Sequence, residues 1–245
     1  KAGANVETWD GLDEADRPGA TFDYEILVRQ TDALIMSAIA ALDGRSEAEI
    51  AGLAPVASGP PADEIERRLG GLPLIELGAN ENALGPSPRA LEAIAQAALR
   101  GHRYPDAGGA HLKRRLAEGL GVTPAHLALG AGSNELIDLL AQVFVQPGDE
   151  VVTADPTFIM YAMAIQKAGG VRVAVPGTDG GRAHDLDQML AAIGPRTRMI
   201  IVCNPNNPTG ALIEPAAFER FVARVPEHAV LVCDEAYHEY VEDPA

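Results

Sequence analysis

"AVLVCDEAYHEY", residues 229–240, joins a continuous apolar run to two carboxylates. The apolar residues Val230, Leu231 and Val232 are typical of a strand that is buried on both faces. Burial on both faces requires covering helices, which favours a parallel sheet in an α/β fold. Because open sheets of this kind bind ligands at the carboxyl ends of their strands, we expect Asp234 to face a ligand of complementary charge.

Similar apolar runs recur along the chain and alternate with helix-like stretches. Strand-like runs lie at residues 127–129, 150–153, 171–175, 199–203 and 229–233. Helix-like stretches lie at residues 87–99, 110–120, 134–144, 158–167, 185–193 and 215–225. The repeated β-α order predicts a mostly parallel sheet with helices on both faces.

The composition of the 245 residues is that of a soluble globular protein, with 47% hydrophobic and 22% charged residues. A net charge of -16 argues against nucleic acid or an anionic membrane as a partner. The cysteines, Cys203 and Cys233, lie in apolar runs without metal-ligand spacing, which favours buried thiols in a reducing compartment. Because no apolar run reaches about 18 residues, we expect a cytoplasmic protein.

The Pro- and Gly-rich stretch at residues 52–71 predicts a boundary between about residues 45 and 60. We expect residues 1–48 to form an N-terminal segment with no assigned function, and residues 49–245 to form the second domain. Residues 24–42 in the first segment have the apolar spacing of an amphipathic helix that packs against its surroundings. The first residue is not Met, so we expect the chain to begin within a longer protein.

"LGAGSNELIDLL", residues 129–140, places Gly132 after a predicted strand and Ser133 and Asn134 at the start of a helix. The free N–H groups and the positive end of the helix dipole make this turn a candidate phosphate site. The alternative is an ordinary tight turn in which Ser133 or Asn134 caps the helix. A Rossmann fingerprint does not fit because Glu135 occupies its last glycine position, and a P-loop would need a lysine after the turn.

Two further loops follow predicted strands. "IIVCNPNNPTG", residues 200–210, holds three amides at the end of its strand, and "DPTFIMY", residues 155–161, places Phe158 at the same edge. In isolation the first is an ordinary turn. Phe158 is expected either in the core or stacked on a flat heterocycle.

Asp234 and Glu235 allow three interpretations. They could hold Mg²⁺ as a Walker B element, but that site needs a Walker A partner, which the chain lacks. Asp234 could instead cap the next helix. In the third interpretation, Asp234 pairs with a cationic ring nitrogen of a cofactor whose phosphate binds at the Gly132 turn. A phosphate site, an amide, an aromatic ring and a carboxylate at one edge suit pyridoxal phosphate.

Six motifs occur in an order that resembles the class I/II pyridoxal-phosphate aminotransferases, and most of all the histidinol-phosphate aminotransferase family: "GANENALGPSP", "RYPD", "GAGSNELIDLL", "DPTFIMY", "NPNNPTG" and "DEAYHEYVEDP". The resemblance covers roughly residues 50–245. It implies that residues 49–245 form the N-terminal arm and most of the large domain of a fold type I transferase. It also implies a homodimer.

The implied reaction transfers the amino group of histidinol phosphate, the small-molecule amino donor, to the 2-oxo acid 2-oxoglutarate. Its products are imidazole acetol phosphate and glutamate, which places the enzyme in histidine biosynthesis. Three alternatives stay open: an aromatic amino-acid aminotransferase, a threonine-phosphate decarboxylase, and an inactive regulatory protein that binds pyridoxal phosphate.

The resemblance implies roles for the residues around the cofactor. Ser133 and Asn134 would bind its phosphate, and Phe158 would stack on its ring. Asn207 and Tyr237 would form hydrogen bonds with the ring hydroxyl.

Three more residues match functional positions of the family. Asp234 would keep the ring nitrogen protonated, so that the ring can accept electrons from the substrate. Tyr104 would reach the cofactor phosphate of the partner subunit in a homodimer, and Asn82 would lie next to the substrate.

The chain departs from the family pattern in its lysines and at two other positions. Family members carry a Schiff-base lysine downstream of the Asp-Glu-Ala-Tyr motif, but Lys1, Lys113 and Lys167 all precede that motif. We therefore expect a chain that is truncated before its catalytic lysine and is inactive as it stands. Ala83 replaces a common proline and Val56 a common substrate-contacting tyrosine, which leaves the amino donor open.

Overall fold

The structure, a computed structural model, describes residues 62–70, 72, 77–82 and 84–242. These residues belong to one compact unit, Gly59–Ala245. The predictions for residues 1–48, including the helix at 24–42, and for Val56 and Ala83 fall outside the described residues.

The described chain contains seven helices and four strands. The helices are α1 (Ala62–Arg68), α2 (Pro88–Ala98), α3 (Ala110–Leu120), α4 (Gly132–Phe144), α5 (Ile159–Lys167), α6 (Leu186–Ala191) and α7 (Pro215–Val222). The strands are β1 (Glu150–Asp155), β2 (Val171–Pro176), β3 (Thr197–Cys203) and β4 (Val230–Asp234). Short helical turns lie at Pro124–His126, Thr178–Gly181 and His238–Tyr240.

The strands form one sheet in the order β2-β1-β3-β4, and all three pairings are parallel. This arrangement confirms the predicted parallel α/β architecture. The predicted strand at residues 127–129 is wrong. Leu127 has extended backbone angles, φ -111° and ψ 129°, but no described strand pairs with this segment. An apolar extended run becomes a strand only where a neighbour completes its hydrogen bonds.

Alternating side chains of the strands enter two separate cores, one on each face of the sheet. On one face, Val151 and Ile201 pack with residues of α4 and α5, such as Ile137 and Ile165. On the other face, residues of β1 and β3 pack with residues of α6 and α7; this core includes Val152, Ile200, Val202, Met189 and Phe221. Helices therefore cover both faces, as predicted.

Local capping explains where several helices begin. The Ser87 hydroxyl accepts a hydrogen bond from the Ala90 N–H at 3.1 Å, and Pro88 follows at the first helical position of α2. At α6, the Asp185 carboxylate accepts from the Gln188 N–H at 2.9 Å.

In the part of the chain that the structure describes, no helix has both the length and the apolar character needed to cross a bilayer.

Candidate functional site

The loops that follow β1, β3 and β4 meet at one edge of the sheet because the strands are parallel. β3 ends at Cys203 and β4 at Asp234. The backbone N–H of Asn204 donates to the carbonyl oxygen of Asp234 at 2.9 Å. This bond holds the Asn-Pro loop against the end of the neighbouring strand.

The half-buried carboxylate of Asp234 is held at both oxygens. The Tyr161 hydroxyl donates to Oδ2 at 2.6 Å, and the Ala236 N–H donates to Oδ1 at 3.1 Å. Tyr161 is fully buried on α5, and its burial, followed by its bond to Asp234, raises its pKa well above the usual range. The tyrosine is therefore a neutral donor that fixes the orientation of the carboxylate.

Phe158 lies immediately before α5 and is half-buried. Its ring meets the Tyr161 ring edge to face, with centroids 5.6 Å apart and an interplanar angle of 87°. Through Tyr161, the aromatic ring and the Asp234 carboxylate belong to one connected group, as the sequence-based prediction of a shared sheet edge requires.

The buried Asn206, 4% exposed, braces the loop at the end of β3. Its carbonyl accepts a hydrogen bond from the Thr157 hydroxyl at 3.0 Å. Its amide donates to the Pro156 carbonyl at 3.2 Å and to the Thr209 hydroxyl at 2.9 Å. All of its polar atoms are used inside the protein, so Asn206 has a structural role.

Asn207, the next residue, is directed to the site. Its side-chain amide donates to the Tyr237 hydroxyl at 3.3 Å, and both residues are half-buried. The structure therefore brings together the two residues predicted to bind one ring oxygen. Asn204 differs from both neighbours, because its side-chain carbonyl accepts from the Ile213 N–H at 2.9 Å within the loop.

Asn80 is a site residue that the sequence prediction missed. Its side-chain amide donates to the Tyr237 hydroxyl at 2.9 Å, and its backbone has a φ of 55°. Asn82, which was predicted to lie next to the substrate, is exposed, and its side-chain carbonyl accepts from the Leu84 N–H at 2.9 Å. The Asn-rich motif identified the segment but did not say which amide reaches residue 237.

A cavity of about 540 Å³ lies beside these residues. Its lining includes Asn80, Glu81, Asn207, Tyr237 and Tyr240. The volume falls in the range of small-molecule sites, about 300–1,000 Å³. The lining supplies hydrogen-bonding amides and phenols together with one carboxylate.

The turn before α4 has the open geometry of an anion site. Gly132 has a φ of 75°, which favours glycine, and a Cβ added there would meet nothing within 4 Å. Ser133 and Asn134 are exposed in the first turn of the helix. The alternative in which either side chain caps α4 is wrong, because the cap is Ala131, whose N–H donates to the Glu135 carboxylate. The Gly132 N–H donates to the Gly130 carbonyl at 2.9 Å, so the exposed Ser133 and Asn134 are the residues of the first turn that an anion could reach.

Other candidates lie apart from the Asp234 group. Tyr104 is fully exposed and, among the described residues, makes no contact with that group, so its role toward a partner subunit stays a prediction.

Both cysteines are free thiols, Cys203 buried and Cys233 half-buried. Burial, reinforced by the charge of Glu235, raises the pKa of Cys233 to about 12. The described residues contain no group of three or more His, Cys, Asp or Glu that could hold a metal ion.

Comparison with known proteins gives matches over most of the chain. The family model "Aminotransferase class I and II" matches residues 73–245. Histidinol-phosphate aminotransferase of Moorella thermoacetica is 46% identical over 192 residues, which is 78% of this chain and 49% of that protein. Histidinol-phosphate aminotransferase 2 of Pseudomonas aeruginosa is 46% identical over 192 residues, 78% of this chain and 52% of that protein. The chain thus spans about half the length of the curated relatives it matches.

Two solved structures show the same arrangement of the chain. The histidinol-phosphate aminotransferase of Sinorhizobium meliloti, in complex with pyridoxal-5'-phosphate, matches with a TM-score of 0.70 and 34% identity over 80% of this chain and 52% of that chain. The aspartate aminotransferase of Thermus thermophilus with maleate matches with a TM-score of 0.70 and 29% identity over 81% of this chain and 55% of that chain.

Proposed function

We propose a function that proceeds from one premise: the chain belongs to the aminotransferase class I and II family. The family and the fold type I architecture expected from the six motifs are both confirmed by the matches. The complete protein transfers an amino group from a small-molecule donor to a 2-oxo acid, with pyridoxal phosphate as cofactor. The observation that carries this proposal is the Asp234 carboxylate, oriented by Tyr161 at the end of β4.

The residues at the sheet edge fit this cofactor. The exposed first turn of α4, with open space above Gly132, suits a phosphate, which Ser133 and Asn134 would bind. Asp234 offers a fixed negative acceptor for a protonated ring nitrogen. Phe158 offers a ring for stacking. When bound, pyridoxal phosphate supplies an electron sink for the bonding electrons of the donor's α-carbon.

Asp234 would keep a proton on the ring nitrogen of the bound cofactor through a charge-assisted hydrogen bond, which is worth about 1.5–3 kcal/mol. Tyr161 contributes by holding Oδ2 of the same carboxylate at 2.6 Å. Because both carboxylate oxygens are already held, Asp234 needs little reorganisation when the ring binds.

The remaining contacts position the ring and the substrate. Asn207 and Tyr237, which contact each other, would bind the ring hydroxyl, and the cavity beside them would receive the amino donor. Asn82, which is exposed, would lie in the segment next to that donor. In a homodimer, the exposed Tyr104 of one subunit would reach the cofactor phosphate of the other. The free thiols favour the cytoplasm as the place of reaction.

Histidinol phosphate is the proposed donor and 2-oxoglutarate the proposed acceptor, which places the reaction in histidine biosynthesis. The support for this donor is the shared name of the relatives at 46% identity. The test measures glutamate formation by the complete protein with histidinol phosphate, phenylalanine or aspartate as donor. Histidinol phosphate should have the highest kcat/KM, by about 100-fold or more. A preference for another donor contradicts the substrate, and inactivity with every donor contradicts the reaction.

A matched pair of carboxylate variants tests the role of the sheet edge in the same assay. Asp234→Asn should lower kcat about 100- to 1,000-fold, because it removes the fixed negative charge of the carboxylate next to the ring nitrogen. Asp155→Asn alters a carboxylate at the end of β1 that instead pairs with Arg172 at 2.9 Å, and should leave kcat nearly unchanged. Equal effects of the two substitutions would contradict the assigned role of Asp234.

A further inference from the structure

The Tyr237 hydroxyl contacts two side-chain amides. Its oxygen lies 2.9 Å from Nδ2 of Asn80 and 3.3 Å from Nδ2 of Asn207. An amide NH₂ group only donates hydrogen bonds, so the phenol oxygen is the acceptor in both contacts. The single proton of the phenol takes part in neither.

The cavity of about 540 Å³ is lined by all three residues, Asn80, Asn207 and Tyr237. Because both amides approach the Tyr237 oxygen, its O–H bond is left to point into the cavity. We propose that Asn80 is a positioning residue, which acts through Tyr237 and aims the hydroxyl proton at an acceptor oxygen on the bound ligand. The inference rests on the proposed function, in which that acceptor is the ring oxygen of the cofactor.

Asn80 suits this role better than Asn207 does. Asn207 makes the longer of the two contacts and is itself proposed to bind the ring oxygen, so its amide is shared between two partners. Asn80 makes the shorter contact across 157 positions of sequence. It also occupies a left-handed conformation, φ 55°, which asparagine tolerates better than most residues. The segment before α2 therefore controls the direction of a hydroxyl that follows β4.

Two substitutions of Asn80 distinguish the effect of its hydrogen-bond donor from the effect of its backbone conformation. Asn80→Gly removes the amide and keeps the left-handed backbone without strain. Asn80→Asp keeps the shape of the side chain but supplies only acceptors. The Tyr237 proton would then turn toward the new carboxylate and away from the cavity. Asn80→Asp is therefore expected to be the more damaging of the two.

The experiment measures, by calorimetry, binding of two probes to the complete protein: pyridoxine 5'-phosphate, which has no aldehyde, and its 3-deoxy analogue, which has no ring oxygen. Asn80→Gly should weaken binding of pyridoxine 5'-phosphate about five-fold, and Asn80→Asp should weaken it further. Neither should change binding of the 3-deoxy analogue. Asp179→Gly is the matched control, because Asp179 is exposed and has a φ of 51°, and it should alter neither affinity.

A Tyr237→Phe background completes the test, because Asn80→Gly should have no further effect once the hydroxyl is gone. An equal loss for both probes, a loss that persists in the Tyr237→Phe background, or no loss at all would overturn the role of Asn80 while leaving the proposed function intact. A wild-type protein that binds neither probe would overturn the proposed function and this inference with it.

Discussion

The sheet and the helices α2 and α3 differ in how completely they are buried. In the sheet, Val152 and Ile200 have 0% exposure. In α2, no residue is buried, and Leu91 and Ile94 are 53% and 62% exposed. The helix α3 buries only Ala117. Both regions have apolar residues in a regular pattern. Within the described residues, the sheet buries most of these side chains and the two helices leave most of theirs exposed.

This difference divides the site residues into two groups. Asn207 follows the buried strand β3 and Asp234 ends the half-buried strand β4, and their hydrogen-bond partners belong to the same packed unit. Tyr104 lies on the exposed segment between α2 and α3, and Ser133 lies at an exposed helix start. The strands thus support the group around Asp234 directly, whereas the roles proposed for the exposed Tyr104 and Ser133 depend on partners outside the described residues.

The largest difference in the free energy of unfolding is expected between variants of a core residue and of an apolar surface residue. Ile200→Ala should lower the free energy of unfolding by about 3 kcal/mol, because it opens a cavity in a fully buried site. Leu91→Ala should cost less than about 1 kcal/mol, since more than half of that side chain is already exposed. Urea unfolding of both variants measures the difference. Equal losses would show that the α2 face is covered in the complete protein and would break the comparison.

A smaller difference in the free energy of unfolding is expected between variants of two neighbouring asparagines in one loop. Asn206→Ala removes hydrogen bonds to Thr157, Pro156 and Thr209 inside the protein and should lower the free energy of unfolding by about 2 kcal/mol. Asn207→Ala should change it by less than about 0.5 kcal/mol and instead weaken binding of pyridoxal phosphate. Urea unfolding and calorimetry together test the pair. A reversal of the two results would contradict the division between structural and binding amides.

The smallest effect concerns His184, whose ring nitrogens have no hydrogen-bond partner among the described residues. Burial lowers its pKa in the folded state below the unfolded value, about 6.5. The folded state therefore keeps its full stability above about pH 6.5 and loses some as the pH falls through the folded pKa. His184→Leu should reduce the loss of Tm between about pH 7.5 and about pH 5.5 and raise stability by about 1 kcal/mol.

The exposed His102 provides the control for this prediction. His102→Leu should leave the dependence of Tm on pH unchanged, because the His102 side chain is exposed to solvent in the folded protein. If both variants lose Tm as steeply as the wild type, burial of His184 is not a source of acid sensitivity.

The sequence predicted the four strands because each is a continuous apolar run that ends at a polar loop. The expected burial on both faces holds for β1 and β3, but the expectation for β4 is wrong: β4 is only half-buried and β2 is largely exposed or half-buried, because both lie at the edges of the described sheet. The sequence prediction failed at residues 127–129, because an apolar run does not reveal whether a neighbouring strand exists. Helix ends were also placed too far along the chain. α6 ends at Ala191 and α7 at Val222, whereas the patterns extended to residues 193 and 225.

Within the site, the order of motifs identified the group around Asp234, but two of its supports were missed. Tyr161 lies three residues after Phe158, and that spacing places the two on one face of a helix, so a helical pattern could have indicated it. Asn80 could not be found in this way, because its contact with Tyr237 depends on how distant segments meet in the fold.

The protonation state of the cofactor ring nitrogen tests the central claim most directly. Nitrogen-15 NMR of ring-labelled pyridoxal phosphate bound to the complete protein reports it, at a pH where the free ligand has lost that proton. We expect a protonated nitrogen in the wild type and in Asp155→Asn, and an unprotonated nitrogen in Asp234→Asn. An unprotonated nitrogen in the wild type, or the same state in the wild type and Asp234→Asn, would contradict the account.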